Sequence, residues 1–85
     1  MTKAEARKYI GQAAIVYWRD PQGFCEWTSS PLSKESGTAD TLARVIGLNA
    51  RGELVIASTR GGDGDVSDLN AIPLACVEKI VKIRA

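Results

Sequence analysis

The fold of this protein is decided by one stretch of sequence, LARVIGLNARGELVIAST, which spans residues 42–59. Aliphatic residues recur on both sides of NARG at positions 49–52, and an asparagine close to a glycine is typical of a tight turn. We therefore predict a β-hairpin whose first strand ends near Leu48 and whose second strand runs from Glu53 to Thr59.

An apolar run, AAIVYW at residues 13–18, lies upstream of this hairpin. Its residues are apolar at odd and even positions alike, which predicts a strand over 12–20 with both faces covered. The following DPQG at 20–23 is typical of a turn, so a returning strand is expected at 24–27. Residues 28–41 then form a polar insertion, with one or two helical turns that end at Gly37.

Downstream of the hairpin, the glycine-rich residues 60–68 predict a mobile loop. A short strand is expected at 71–73, and IPLACV at 72–77 predicts one tight turn. The last strand should run from Val77 to Arg84, with Val81 and Ile83 facing inward.

The N-terminus carries a helix signal. Thr2 followed by Glu5 fits a capping box, and Gly11 supplies a helix stop, so a helix is expected over residues 3–10. The chain is then divided into an N-terminal helix, residues 1–11, and a small β-barrel domain, residues 12–85. The predicted class is mainly β: a five- or six-stranded antiparallel barrel of Src-homology-type (SH3-like) or Sm-like form, because closing the sheet hides its edges.

Several segments together carry a resemblance to a known group of proteins. They are IVYWRD at 15–20 through Trp27, RVIG at 44–47, LVIA at 54–57, Ile72–Pro73, Val77 and Ile80. This arrangement is similar to short uncharacterised proteins encoded by phages and other mobile elements. The resemblance implies a small barrel, and it assigns no catalytic or binding residue.

Composition limits the classes of function. The 85 residues fit one domain, and 11 basic against 10 acidic residues give a net charge of +1, so no global field attracts nucleic acid or an anionic membrane. No run approaches about 18 apolar residues, and the N-terminal residues lack the apolar run of a signal peptide. A cytoplasmic location is expected.

Metal and catalytic chemistry find little support in the sequence. The chain has no histidine and two distant cysteines, Cys25 and Cys76, which predicts no zinc site and no cofactor. Buried thiols are favoured over the alternative, a Cys25–Cys76 disulfide. Asp63, Asp65 and Asp68 resemble a broken calcium loop, but their spacing does not fit one, and no metal is expected. Without histidine, the serine hydroxyls and the cysteine thiols lack their usual proton acceptor. The protein is therefore not expected to be an enzyme.

Two groups of residues are candidate binding sites. Tyr17, Trp18 and Trp27 surround the first predicted turn and form the candidate site for a protein partner or self-association, although such aromatics more often fill the core. The other group consists of basic residues near the termini: Lys3, Arg7, Lys8, Lys79, Lys82 and Arg84.

The sequence therefore predicts a noncatalytic binding or adaptor module that is oligomeric, encoded by a mobile element, and acts through protein–protein contacts. The alternative is an Sm-like protein that binds RNA or DNA through the terminal basic residues. No membrane partner is expected.

Overall fold

The computed structural model describes residues 1–20 and 37–83. These residues form a short α-helix and five antiparallel strands in one sheet, which confirms the mainly β class. In chain order, the elements are α1 (Lys3–Arg7), β1 (Ala13–Asp20), β2 (Gly37–Leu48), β3 (Leu54–Arg60), β4 (Val66–Ile72) and β5 (Val77–Lys82). A 3-10 turn, Leu74–Cys76, joins β4 to β5 at the position predicted for a tight turn.

The strands lie in the order β4-β3-β2-β1-β5. The predicted hairpin is confirmed as β2 and β3, and the chain returns at its end to place β5 beside β1. Strands β4 and β5 are the two edges, and within the described ranges no pairing joins them. The described strands thus form one antiparallel sheet and do not by themselves make the closed barrel expected from the sequence.

Strand β1 has neighbours other than the one predicted for it. It pairs with β2 along its whole length and with β5 over residues 14–18, so both edges of that part are taken. The turn at 20–23, the strand at 24–27 and the helical turns before Gly37 lie outside the described residues. Residues 37–41, expected in the polar insertion, extend β2 instead, because pairing with β1 satisfies their backbone polar groups whatever their side chains.

The hydrophobic core lies on one face of the sheet, which we call the core face. Fully buried aliphatic side chains from four strands fill it, namely Val16, Val45, Leu54, Ile56 and Ile72. Helix α1 lies on this core and contributes Ala6, which is also fully buried. The helix and the sheet therefore share one core.

Helix α1 begins with the predicted capping box. The Glu5 N–H donates to Thr2 Oγ1, and the Thr2 N–H donates to Glu5 Oε1. The Thr2 hydroxyl also donates to this carboxylate, and these bonds to Thr2 lower the pKa of Glu5. The helix ends at Arg7, earlier than predicted, because the next backbone N–H groups donate three residues back and Gly11 leaves the helix with φ of +83°.

Strand β5 differs from its predicted orientation. Val77 and Ile80 face the core, whereas Val81 and Ile83 are 44% and 38% exposed, so the expectation that the latter two point inward is wrong. The pairing of β5 with β1 shifts by one residue between Tyr17 and Trp18, which marks a bulge. Because the bulge adds one residue to β5, Val77 and Ile80 face the core although they are three positions apart. The residues after Ile80 therefore point to the face opposite to the one predicted for them.

The glycine-rich segment is more ordered than predicted. Strand β3 extends to Arg60 and β4 begins at Val66, so residues 61–65 make a short turn and the predicted strand at 71–73 is the end of a longer one. The Gly61 N–H donates to the carbonyl of Asp65 at 2.7 Å, which closes this turn. Backbone pairing across β3 and β4 stabilises a stretch whose polar composition suggested a loop.

Candidate functional site

The sheet face opposite the core carries exposed aliphatic side chains. Because side chains alternate along a strand and Val16 is buried in the core, Ile15 points to the other face, which we call the outer face. Ile15 is paired with Leu42 on β2 and with Val81 on β5. We call Leu42, Ile15 and Val81 the apolar row; Ile15 is half-buried, and Leu42 is 66% exposed.

Two further rows flank the apolar row on the outer face. On one side, Arg44 is paired with Ala13, whose carbonyl accepts a hydrogen bond from the N–H of Ile83. On the other side, the row consists of Asp40, Tyr17 and Lys79. On β2, the anion Asp40 therefore lies two residues before Leu42, and the cation Arg44 lies two residues after it.

The small residues of the outer face leave a hollow beside Leu42. Its volume is about 220 Å³, and its lining includes Ala13, Arg44, Ala57 and Thr59. The Arg44 guanidinium donates from Nη1 to the carbonyl of Gly11 at 2.8 Å, which holds its stem along the wall. This surface is a shallow depression with aliphatic and basic walls.

Tyr17 and Lys79 form a second contact on the outer face. The ammonium Nζ of Lys79 lies 4.6 Å from the centroid of the Tyr17 ring, within cation–π distance. A second hollow, of about 260 Å³, lies next to them with Asp40 and Glu78 in its wall. Glu78 also forms an exposed ion pair with Arg19, at 3.5 Å.

The three aromatic residues predicted as a binding site do not share a surface in the described residues. Tyr17 lies on the outer face, while Trp18 points to the core face, where its Nε1–H donates to Thr41 Oγ1 at 3.0 Å. Trp27 lies outside the described residues. Of the described pair, Tyr17 therefore belongs to the candidate site, and Trp18 packs against the core.

The terminal basic residues are spread over several surfaces. Lys3, Arg7 and Lys8 are exposed on α1 and the turn after it. On β5, Lys79 lies on the outer face, whereas Lys82 is paired with Ala14, whose side chain belongs to the core face. Arg84 lies outside the described residues. The register thus sends the two described lysines of β5 to opposite faces of the sheet.

The candidate metal and thiol residues have local structural roles where the structure describes them. Asp63 Oδ1 accepts from the N–H of Asp65 at 3.0 Å, and Asp68 accepts from the hydroxyl of Thr59. Cys76 is half-buried at the edge of the core, and Cys25 lies outside the described residues. Among the described side chains, no three Cys, Asp or Glu residues converge on a point that would hold a metal ion.

The apolar row was missed by the sequence analysis. Its three members come from strands far apart in the chain, and only the register of β1 with β2 and β5 places them side by side. One signal was present in the sequence, because β1 is apolar at both odd and even positions. Only one of these two sets of side chains can face the core, so the other set lies on the opposite face.

Within residues 1–20 and 37–83, no helix has both the length and the apolar character needed to cross a bilayer. Comparisons with protein-family models, with curated proteins and with solved structures find no match to this chain.

Proposed function

We propose that this protein is a noncatalytic binding module that attaches to another protein through the outer face of its sheet. The observation that carries this proposal is the apolar row, whose member Leu42 is 66% exposed on an interior strand of the sheet. A contiguous group of exposed aliphatic side chains marks an interaction surface, whereas isolated ones are ordinary.

The distribution of exposed aliphatic residues supports the choice of this face. Six large hydrophobic side chains are exposed in the described residues, and the strand registers place three of them on the outer face: Leu42, Leu69 and Val81. Covering the apolar row removes apolar area from water at about 25 cal/mol per Å². Arg44 and Asp40, at the two sides of this row, supply the polar rim that protein interfaces usually have.

We further propose that the sheet belongs to the small barrels of Src-homology or Sm-like type, encoded by a mobile element. The barrel is supported by Ile72 and Val77, which end β4 and begin β5 and are both buried in the same core. The 3-10 turn between them connects the end of one edge strand to the start of the other. The mobile-element origin rests on the sequence resemblance.

The alternative function is nucleic-acid binding through the terminal basic residues. The positions of these residues in the fold support it less well than the apolar row supports protein binding. Phosphate contacts need cations that track one backbone, but Lys79 and Lys82 project from opposite faces of β5. Lys79 is also engaged with Tyr17 on the face that carries the apolar row.

Site-specific photo-crosslinking in cells tests the proposed function. The chain is expressed with p-benzoylphenylalanine in place of Leu42, and with the same residue in place of Ala50 as the control. Ala50 is exposed in the turn between β2 and β3, away from the outer face. We expect a protein adduct from position 42 that is absent from position 50. Equal labelling from both positions would overturn the proposal.

A further inference from the structure

On β2, the charges of the outer face are complementary to those of a second copy of the same face. Along β2, Asp40 lies two residues before Leu42 and Arg44 lies two residues after it. The apolar row runs between them across the sheet to Val81. The cation and the anion are therefore at equal distances from the row, since each pair of residues along a strand spans about 7 Å.

A two-fold axis along the apolar row uses this symmetry. When two outer faces meet about such an axis, each member of the row meets its own copy, and Arg44 of each chain faces Asp40 of the other. The two ion pairs form at once because an isologous interface repeats every contact. The hollow of about 220 Å³ beside Leu42 provides room for the aliphatic side chain of the facing copy.

We propose that the occupant of the outer face is a second copy of this chain, bound as a two-fold dimer with the apolar row at its centre and Arg44–Asp40 ion pairs at its rim. This inference rests on the proposed function, because it names the partner of the same face. A two-fold contact uses the same surface of both chains, so it closes at two chains.

The area buried between the two outer faces determines how strongly the dimer is expected to associate. Three strands and three rows cover roughly 300 Å² per chain at ordinary strand spacing, less than the about 800 Å² per partner of a standard stable interface. The dimer should therefore dissociate on dilution, and a concentration series is the appropriate measurement.

Charge reversal tests the axis directly by sedimentation of the purified full chain. Arg44→Glu places two anions at each rim contact, and Asp40→Lys places two cations there, so each variant alone should dimerise at least about tenfold more weakly. Mixing the two variants restores opposite charges at both rim contacts. We expect the mixture to recover dimerisation near the level of the unchanged chain.

Matched controls keep the test specific to this face. Arg51→Glu and Asp65→Lys make the same charge changes in exposed turns and should leave dimerisation unchanged. Leu42→Asp should abolish dimerisation, and circular dichroism verifies that each variant is folded. Because the mixture contains only the two weakened variants, its recovery excludes misfolding as the cause of their weakness.

The possible outcomes separate this inference from the proposed function. A chain that remains monomeric at every concentration, or a mixture that does not recover, overturns the two-fold dimer. If position 42 then crosslinks to a different protein, the binding function stands with another partner. If position 42 crosslinks to nothing, both proposals fail.

Discussion

The two faces of the same sheet differ in what covers them. On the core face, Val16 and Ile56 are fully buried in the cluster to which α1 contributes Ala6, while on the outer face Leu42 is 66% exposed. Both faces of the central strands carry aliphatic side chains, so composition does not separate them. The difference indicates that one face stabilises the fold and the other is available for binding.

The largest expected contrast between the faces comes from matched truncations. Ile56→Ala leaves a cavity in the core and should lower the free energy of unfolding by about 2–5 kcal/mol. Leu42→Ala removes a side chain of the same size from the outer face and should change it by less than about 0.5 kcal/mol. Urea unfolding at a concentration where the chain is monomeric measures both. A similar loss in the two variants would show that the outer face is covered in the monomer.

A smaller effect is expected from the one indole hydrogen bond described on the core face. The bond from Trp18 Nε1 to Thr41 Oγ1 should contribute about 0.5–1.5 kcal/mol to the free energy of unfolding. A double-mutant cycle with Trp18→Phe and Thr41→Val isolates this coupling from the lost packing. Additive effects of the two substitutions would show that the bond to Thr41 contributes nothing beyond what the indole N–H gains from water.

On the outer face, the corresponding contact should be weaker. Lys79 is exposed and Tyr17 is half-buried, so their cation–π coupling should be about 0.5 kcal/mol. A cycle with Lys79→Ala and Tyr17→Leu measures it by thermal unfolding. A coupling larger than that of Trp18 with Thr41 would mean that this part of the outer face is shielded from water.

The smallest expected effect concerns Glu5 in helix α1, which packs on the core face, and this effect depends on pH. Folding lowers the pKa of Glu5 from its ordinary value of 4.5, so the charged carboxylate stabilises the fold above that pH. The contribution is lost as the pH falls through the lowered pKa of the folded state. Glu5→Gln should therefore be slightly less stable than the unchanged chain at pH 7, and the gap should close in acid.

Unfolding of Glu5→Gln at pH 7 and pH 3 measures this change, with Asp65→Asn as the control for a carboxylate without such a cap. The side chain of Asp65 is exposed in the turn between β3 and β4. A gap of the same size at pH 3 as at pH 7 would assign the effect to the shape of the side chain at position 5 and not to its charge.

Local elements of this fold were predictable because neighbouring residues determine them. The capping box at Thr2 and Glu5, the β2–β3 hairpin and the tight turn after Ile72 were all predicted correctly from short patterns. The orientation of Val81 was predicted wrongly, because a bulge in β5 is set by its pairing with β1 and leaves no local signal. The apolar row was not predicted for the same reason, because its three residues become neighbours only when β1 pairs with β2 and β5.

The sequence by itself determined that the chain forms short antiparallel strands with a capped helix at its start, since alternation, turn residues and caps act over a few neighbouring positions. Only the tertiary structure decided which apolar side chains lie in the core and which remain outside. A shift of register by one residue sends every side chain of a strand to the opposite face. The candidate binding face is a product of that register, and it exists only once strands distant in the chain are paired.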